Sequence, residues 1–423
     1  MDTIFALSSG PPPAGIAVVR VSGSAAGAAL EALAGRRPPP RRATLAELRE
    51  AAGELLDRGL VLWFPGPDTV TGEDLAELHL HGGRAVIGAV EAALAAMPGL
   101  RRAEPGEFTR RAFVNGRIDL AEAEGLADLL EAETEIQRRA AVQLAGGALS
   151  RQVEGWRERL LALSARLEAA LDFDDEGDVG PLSGDFIGEI NALGEEIGRA
   201  LAAPAAETLR EGFRVALAGP PNAGKSTLFN ALVEHEAAIT APSAGTTRDV
   251  IERPVALAGI PFTFVDMAGL RDPGCDDVEA IGMARARTEI ERADLVLWLG
   301  PEGEGPRGAW EIEPRIDEAL RPAKASPRYR VSAVSGANLA ALKHGLVEHA
   351  AAALPRPGET ALNRRQRALL AEASAALAEV DHSDPLLQAE ALRRSRVAFD
   401  RLLGRSSTED VLDALFGRFC IGK

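Results

Sequence analysis

The stretch that most constrains this chain is Gly-Pro-Pro-Asn-Ala-Gly-Lys-Ser, residues 219–226. It fits G-x-x-x-x-G-K-[ST], and its flanks supply the context that the pattern needs. An apolar run, FRVALAG, precedes it, and an amphipathic segment, STLFNALV, follows. Glycines let backbone N–H groups curl around phosphates, and the start of the following helix adds the positive end of its dipole. Asn222, Ala223, Gly224, Lys225, Ser226 and Thr227 form the expected phosphate cradle. In it Lys225 neutralises phosphate oxygens and the Ser226 hydroxyl reaches Mg²⁺. The alternative, a chance glycine-rich turn, does not account for the strand before the loop or the helix after it.

Such a loop belongs to a doubly wound α/β domain, and residues 213–350 alternate accordingly: PFTFVDMAG, ADLVLWLG, RYRVSAVSG and NLAALKHGLVEHA read as strands and helices in turn. Asp266 ends one of these strands, the expected place for a carboxylate behind Mg²⁺, followed by Met267, Ala268 and Gly269, the last for a γ-phosphate. Between the two motifs lies SAGTTRD, residues 243–249, in which a threonine can complete Mg²⁺ coordination. Order and spacing match a small GTPase. Two features depart from that pattern. Leu270 stands where Ras-like enzymes carry the glutamine that orients water, so hydrolysis needs another group, and Glu279 in DDVEAIG offers one. No N-K-x-D occurs. The slot before VSAVSG reads Ala323-Lys324-Ala325-Ser326, where a serine cannot pair bidentately with guanine, although Lys324 is kept. Ser332, Ala333 and Val334 can still offer a backbone N–H to guanine O6. An ATPase is the alternative that this loop raises.

Around that domain the texture differs. Residues 1–117 alternate like strands in GIAVVRVSG and LAELHLH, with glycine and proline punctuation. Residues 118–209 repeat apolar residues at helical spacing, and helices return from ALPRPG at 353–358 to the end. The fold class expected is multidomain, α+β and α/β. A β-rich N-terminal domain spans 1–117, and a helical bundle domain spans 118–209 and 354–423. A Ras-like P-loop domain with a mostly parallel sheet, 210–353, is inserted into the bundle. The net charge of −16 is concentrated in the middle, where residues 118–209 carry 20 acids against 7 bases. That balance excludes a general nucleic-acid binder and leaves local patches such as RRPPPRR at 36–42 or NRRQR at 363–367, each also readable as solvated arginines. Two cysteines, Cys275 and Cys420, cannot form a disulfide framework. With no signal-peptide pattern and no apolar run of membrane-spanning length, a cytoplasmic location is expected. CIGK at 420–423 fits a prenylation box poorly, with glycine third and lysine last.

Taken in order, DTIFAL…GIAVVRVSG, FPGPDTVTGEDLAELHLHGG, PGEFTRRAFVNGRIDLAEAEGLADLLEAET, the loop with its asparagine, AGTTRD, DMAGLRD…VEAIG and the terminal FCIGK resemble the tRNA modification GTPase family MnmE, also called TrmE, across essentially the whole chain. The resemblance implies a GTP-hydrolysing, potassium-activated subunit of a complex. That complex adds an aminomethyl or carboxymethylaminomethyl group to C5 of the wobble uridine of certain tRNAs. It implies a homodimer formed through a folate-binding N-terminal domain, and a partner, MnmG, that alone carries FAD. The one-carbon donor is a tetrahydrofolate derivative, in its 5-formyl or methylene form. By the same resemblance Ser226 and Thr247 hold magnesium. Asn222, Ala241, Ser243 and Thr246 surround potassium, a cation that can stand in for an arginine finger. Threonine is commoner in the family at the Ala241 position. Glu279 maps to the catalytic glutamate, and Arg20, Glu77, Arg117 and Lys423 map to the folate pocket, Arg117 replacing a commoner lysine. Cys420 is a candidate for the modification step, with burial as a small apolar residue as the alternative. His79 and His81 on one strand read as structural. A regulatory or ribosome-assembly GTPase without a chemical product is the competing function.

Overall fold

The computed structural model describes residues 2–172, 185–204, 206–234, 237–238, 251–267, 287–318, 323–355, 360–380, 384–406 and 408–423. They form two compact units, one from Met1–Ala127, Ser150–Gly155 and Val397–Lys423, the other from Asp128–Leu149 and Trp156–Arg396. In chain order the helices are α1 (Ala26–Ala34), α2 (Arg84–Ala95), α3 (Glu107–Val114), α4 (Leu120–Glu131), α5 (Glu135–Ala145), α6 (Ala148–Asp172), α7 (Phe186–Ala202), α8 (Ala206–Glu211), α9 (Lys225–Val233), α10 (Leu339–Ala353), α11 (Arg364–Ala378), α12 (Pro385–Leu402) and α13 (Glu409–Phe416).

The first unit is built on a six-stranded sheet, β1 (Thr3–Leu7), β2 (Ala14–Ser22), β3 (Thr44–Arg49), β4 (Leu55–Phe64), β5 (Leu75–Gly82) and β6 (Leu100–Arg102), in the order β3-β4-β5-β2-β1-β6. The period of two decides its faces. Val19, Val21, Val61, Trp63 and Leu78 point into a core closed by Leu30 and Leu33 of α1 and Val90 and Leu94 of α2. The alternate residues of β2 and β5, Arg20 and Glu77 among them, lie on the other face as direct cross-strand partners. A second small core joins α4 to the C-terminal segment through Leu120, Ala123, Leu412, Leu415, Phe416 and Phe419. The tail is then fixed in place. Ile421 bridges to Pro105, and Gly422 adopts φ 96° so close to β1 that a Cβ there would lie 2.1 Å from the Leu7 carbonyl oxygen. No L side chain fits that approach.

The second unit carries a seven-stranded sheet of β7 (Phe213–Ala218), β8 (Ala237–Ala238), β9 (Ile251–Leu257), β10 (Ile260–Asp266), β11 (Leu295–Trp298), β12 (Trp310–Glu313) and β13 (Tyr329–Arg330), in the order β13-β12-β11-β7-β10-β9-β8. The pairs from β13 through to β10 are parallel, and β9 and β8 complete the edge antiparallel. Every residue of β7 and β10 is buried, which is why they read as mainly apolar runs, broken by Arg214 and Thr263, rather than as alternating ones. Leu228, Phe229 and Leu232 of α9 and Leu342 and Leu346 of α10 complete this core. The helix α7, before the α/β segment in sequence, packs along α11, after it. Arg367 of α11 donates to the carbonyls of Leu201 (2.5 Å) and Ala203 (2.6 Å), satisfying the C-terminal end of α7. Among the described residues no helix is long and apolar enough to cross a membrane.

Candidate functional site

The phosphate loop begins where β7 ends. Asn222 takes a left-handed conformation at φ 58°, and Gly224, at φ 96°, caps α9. The left-handed step at Gly224 turns the chain sharply into the helix, and only glycine does this without strain. Lys225 is buried and folds back across the loop, its ammonium donating to the carbonyls of Gly219 (2.9 Å) and Pro220 (2.8 Å). Ala223 is buried, whereas Ser226 and Thr227 in the first helical turn are exposed. Asp266 is buried at the end of β10, in register with Leu217 of β7, and Met267 follows it, also buried. The loop therefore presents a helix N-terminus, a lysine and a hydroxyl on one side of the sheet end, with a buried carboxylate beside them. The Ser226 hydroxyl is an oxygen donor of the kind that a hard divalent cation such as Mg²⁺ prefers, and a carboxylate such as Asp266 suits the place behind it. Ala241, Ser243, Thr246, Thr247, Ala268, Gly269, Glu279 and Cys275 lie outside the described residues.

Residues 323–326, where a base-reading loop is expected, are bonded back onto the sheet. Lys324 is turned inward, its ammonium bonded to the Trp298 carbonyl (3.0 Å) and to the Glu311 carboxylate. The backbone N–H groups of Ala325 and Ser326 are held by Glu302. Residues 323–326 thus tie a connection to β11 and β12. The segment that leaves the end of β12 is Pro314-Arg315-Ile316-Asp317 instead. Arg315 passes beside the phosphate loop, 3.3 Å from where a Cβ on Gly224 would sit. The buried Ser332 hydroxyl donates to Asp317, which together with the Asp317 backbone N–H holds that carboxyl below the usual aspartate range. Backbone bonds from Val331 N–H to the Glu313 carbonyl (2.9 Å) and from Ile316 N–H to the Val331 carbonyl (3.4 Å) fix the two segments together, while Ser335 N–H donates to Ser332 Oγ (3.0 Å). Val334 is 78% exposed and Ala333 half-buried. The chain keeps a cation and an aspartate two residues apart at a strand end, but proline in place of asparagine hides them from a search for N-K-x-D.

The first unit holds a cavity of about 640 Å³. Arg20, Glu77, Arg117 and Lys423, as much as 403 residues apart in sequence, all line it, together with Phe64 and Phe108. Arg20 donates from Nε (3.2 Å) and Nη2 (2.9 Å) to one oxygen of Glu77 and lies over the Phe108 ring. The other Glu77 oxygen is 3.4 Å from His79 Nε2. His81 pairs with Asp57 at 2.7 Å, and among the described residues no cluster of His, Cys, Asp and Glu could hold a metal. Both histidines are structural partners of carboxylates. Cys420 does not line the cavity. Its thiol is free and exposed, so burial as a small apolar residue is excluded, while its carbonyl accepts from Lys423 N–H (3.2 Å).

A phosphate loop at the end of a central parallel strand, with a separate polar cavity in a β-rich unit, defines a multidomain P-loop nucleotide-binding protein. The family model described as GTP-binding protein TrmE N-terminus matches residues 3–117, and that of the MnmE helical domain matches residues 120–420. A tRNA modification GTPase MnmE of Novosphingobium aromaticivorans is 62% identical, with the alignment covering 100% of both chains. Those of Erythrobacter litoralis and Zymomonas mobilis are 61% and 52% identical, again over 100% of both chains. The chain belongs to the MnmE family.

Proposed function

We propose that this chain is a tRNA modification GTPase and acts as the GTP-hydrolysing subunit of a complex that adds an aminomethyl or carboxymethylaminomethyl group to C5 of wobble uridine. The observation that carries this reading is the cavity of the first unit. It pairs a carboxylate with an arginine at its less exposed end and gathers further cations around aromatic walls. That donor set suits a pterin edge and an anionic glutamyl tail, so Arg20, Glu77, Arg117 and Lys423 are assigned to a tetrahydrofolate derivative. A purely regulatory GTPase has no use for such a cavity. The three-part division, with residues 210–353 as the G domain within a helical domain of 118–209 and 354–423, goes with this reading, as do a homodimer, the MnmG partner, tRNA and a cytoplasmic location.

In the nucleotide site Lys225 and the backbone of residues 222–227 hold the phosphates, and Asp317 accepts from guanine N1–H and N2–H₂, with Ser332 orienting it. Ser226 and Thr247 would hold Mg²⁺, and Asn222 with Ala241, Ser243 and Thr246 would hold K⁺. Both ions supply charge that neutralises developing phosphate charge. Leu270 cannot orient water, and that task falls to Glu279. Cys420, exposed beside the tail that brings Lys423 to the cavity, is reserved for the modification step. The test is mass spectrometry of wobble nucleosides from cells with and without this chain, alongside GTP hydrolysis in potassium and in sodium. Wobble uridines fully modified in its absence would overturn the modification role, and hydrolysis indifferent to potassium would overturn the cation assignment.

A further inference from the structure

The basic segment RRPPPRR at 36–42 does not act as one patch. Arg37 packs over the Trp63 ring and pairs with Glu31 at 3.0 Å, which accounts for it locally. Arg41 goes elsewhere. Its backbone takes φ 57°, a left-handed conformation that is unfavourable for an ordinary L residue. It is held there by its N–H donating to the Trp63 carbonyl at 2.8 Å. The conformation delivers its guanidinium over the Phe64 ring and onto the lip of the 640 Å³ cavity, where it donates to the Asp68 carbonyl.

The cavity is graded in exposure and charge. At one end the Arg20 and Glu77 side chains are 24% and 18% exposed and neutralise one another. At the other, Arg41 is exposed, Arg117 is 40% exposed, and Asp68, on which both converge, is 81% exposed. Arg117 stands 3.6 Å from the Asp68 carboxylate. Only Arg117 faces the Asp68 carboxylate, while Arg41 reaches the backbone carbonyl of the same residue, so the open end carries a cationic excess where an elongated anionic ligand would emerge.

We propose that Arg41 is a specificity-determining residue of this cavity, receiving with Arg117 the γ-linked glutamates that extend a folate tail beyond the first. This rests on the folate reading of the cavity. The test is calorimetric titration of the full chain with 5-formyltetrahydrofolate as the monoglutamate and as the triglutamate. The variants are Arg41→Asn, whose side chain tolerates the left-handed backbone, Arg41→Lys, and Arg42→Gln as a neighbouring charge control. Wild type binds the triglutamate tighter than the monoglutamate. Arg41→Asn weakens the triglutamate about fivefold more than the monoglutamate, the scale of one solvated ion pair. Arg41→Lys restores part of the difference, and Arg42→Gln keeps all of it. Equal weakening of both ligands by Arg41→Asn, or none, overturns the proposal. Wild-type protein that binds neither ligand overturns the folate reading itself, a distinct result.

Discussion

The phosphate loop draws its groups from one continuous stretch, residues 219–227, whereas the cavity of the first unit draws Arg20, Glu77, Arg117 and Lys423 from two strands, the connection between α3 and α4, and the tail. The loop owes its shape to local backbone: a strand end, a left-handed Gly224 and a helix start. The cavity owes its shape to tertiary packing, including Gly422 against Leu7 and the Phe416–Leu120 core. Loss of a loop side chain should therefore remove chemistry and leave the other site intact, while the cavity should answer to anything that loosens the first unit.

The largest effect expected is that of Lys225→Ala. The lysine neutralises phosphate charge where a helix N-terminus already gathers donors, and losing such a group costs about 10³-fold in kcat/KM for GTP hydrolysis. Titration with 5-formyltetrahydrofolate should give wild-type affinity in the same variant. A parallel fall in folate affinity would break the contrast between a local site and a dispersed one.

The same contrast explains what was legible in the sequence. The phosphate loop, the strand before it and the apolar strands β7 and β10 follow from spacing and burial patterns that are local in the chain. Arg20 looks like any strand-end arginine until β5 brings Glu77 opposite it, and nothing in RRPPPRR separates Arg41 from its neighbours before its backbone conformation is seen. Both required either the family resemblance or the fold. The segment proposed to read the base, residues 314–317, was hidden for a different reason. Its strand, WEIE, is short and half acidic, and its proline breaks the expected asparagine position, so the aspartate that bonds to Ser332 stood in a stretch with no strong pattern of its own.

That aspartate gives the next effect. In Asp317→Asn an amide donor replaces one of the carboxylate acceptors proposed to face guanine, so GTP affinity should fall by about 2 kcal/mol, some 30-fold. Xanthosine triphosphate, which offers a carbonyl where guanine has its amino group, should bind better than to wild type. Competition titrations with GTP, ATP and XTP measure this. Lys324→Ala, which only unties the 323–326 connection, should not change the base preference. A preference that moves with Lys324 and not with Asp317 would restore the slot to residues 323–326.

The smallest effect concerns the packing beneath the cavity. Arg111 is buried and binds Asp2 (3.1 Å), Glu73 (3.0 Å) and Glu107 (3.0 Å), and Arg101 holds Glu107 bidentately at 2.8 and 2.6 Å. Burial alone would raise the Glu107 carboxyl. Hydrogen bonds from Arg101, the Glu104 N–H and Arg111 outweigh it and hold it below the ordinary range. A carboxyl depressed in the folded state stabilises above its unfolded pKa and loses that contribution as pH falls through the folded value. In the second unit Asp294 has the opposite sign: burial raises it, against the hydrogen bond that it accepts from the Arg214 N–H (2.8 Å). Its cost is relieved as pH falls. Glu107→Gln should therefore be less stable than wild type by about 1 kcal/mol at neutral pH. The gap should close as pH falls below the ordinary carboxylate range, read from urea midpoints with paired buffers. A gap that persists unchanged into acid would mean that the shape of Glu107, and not its charge, secures α3 beneath the cavity.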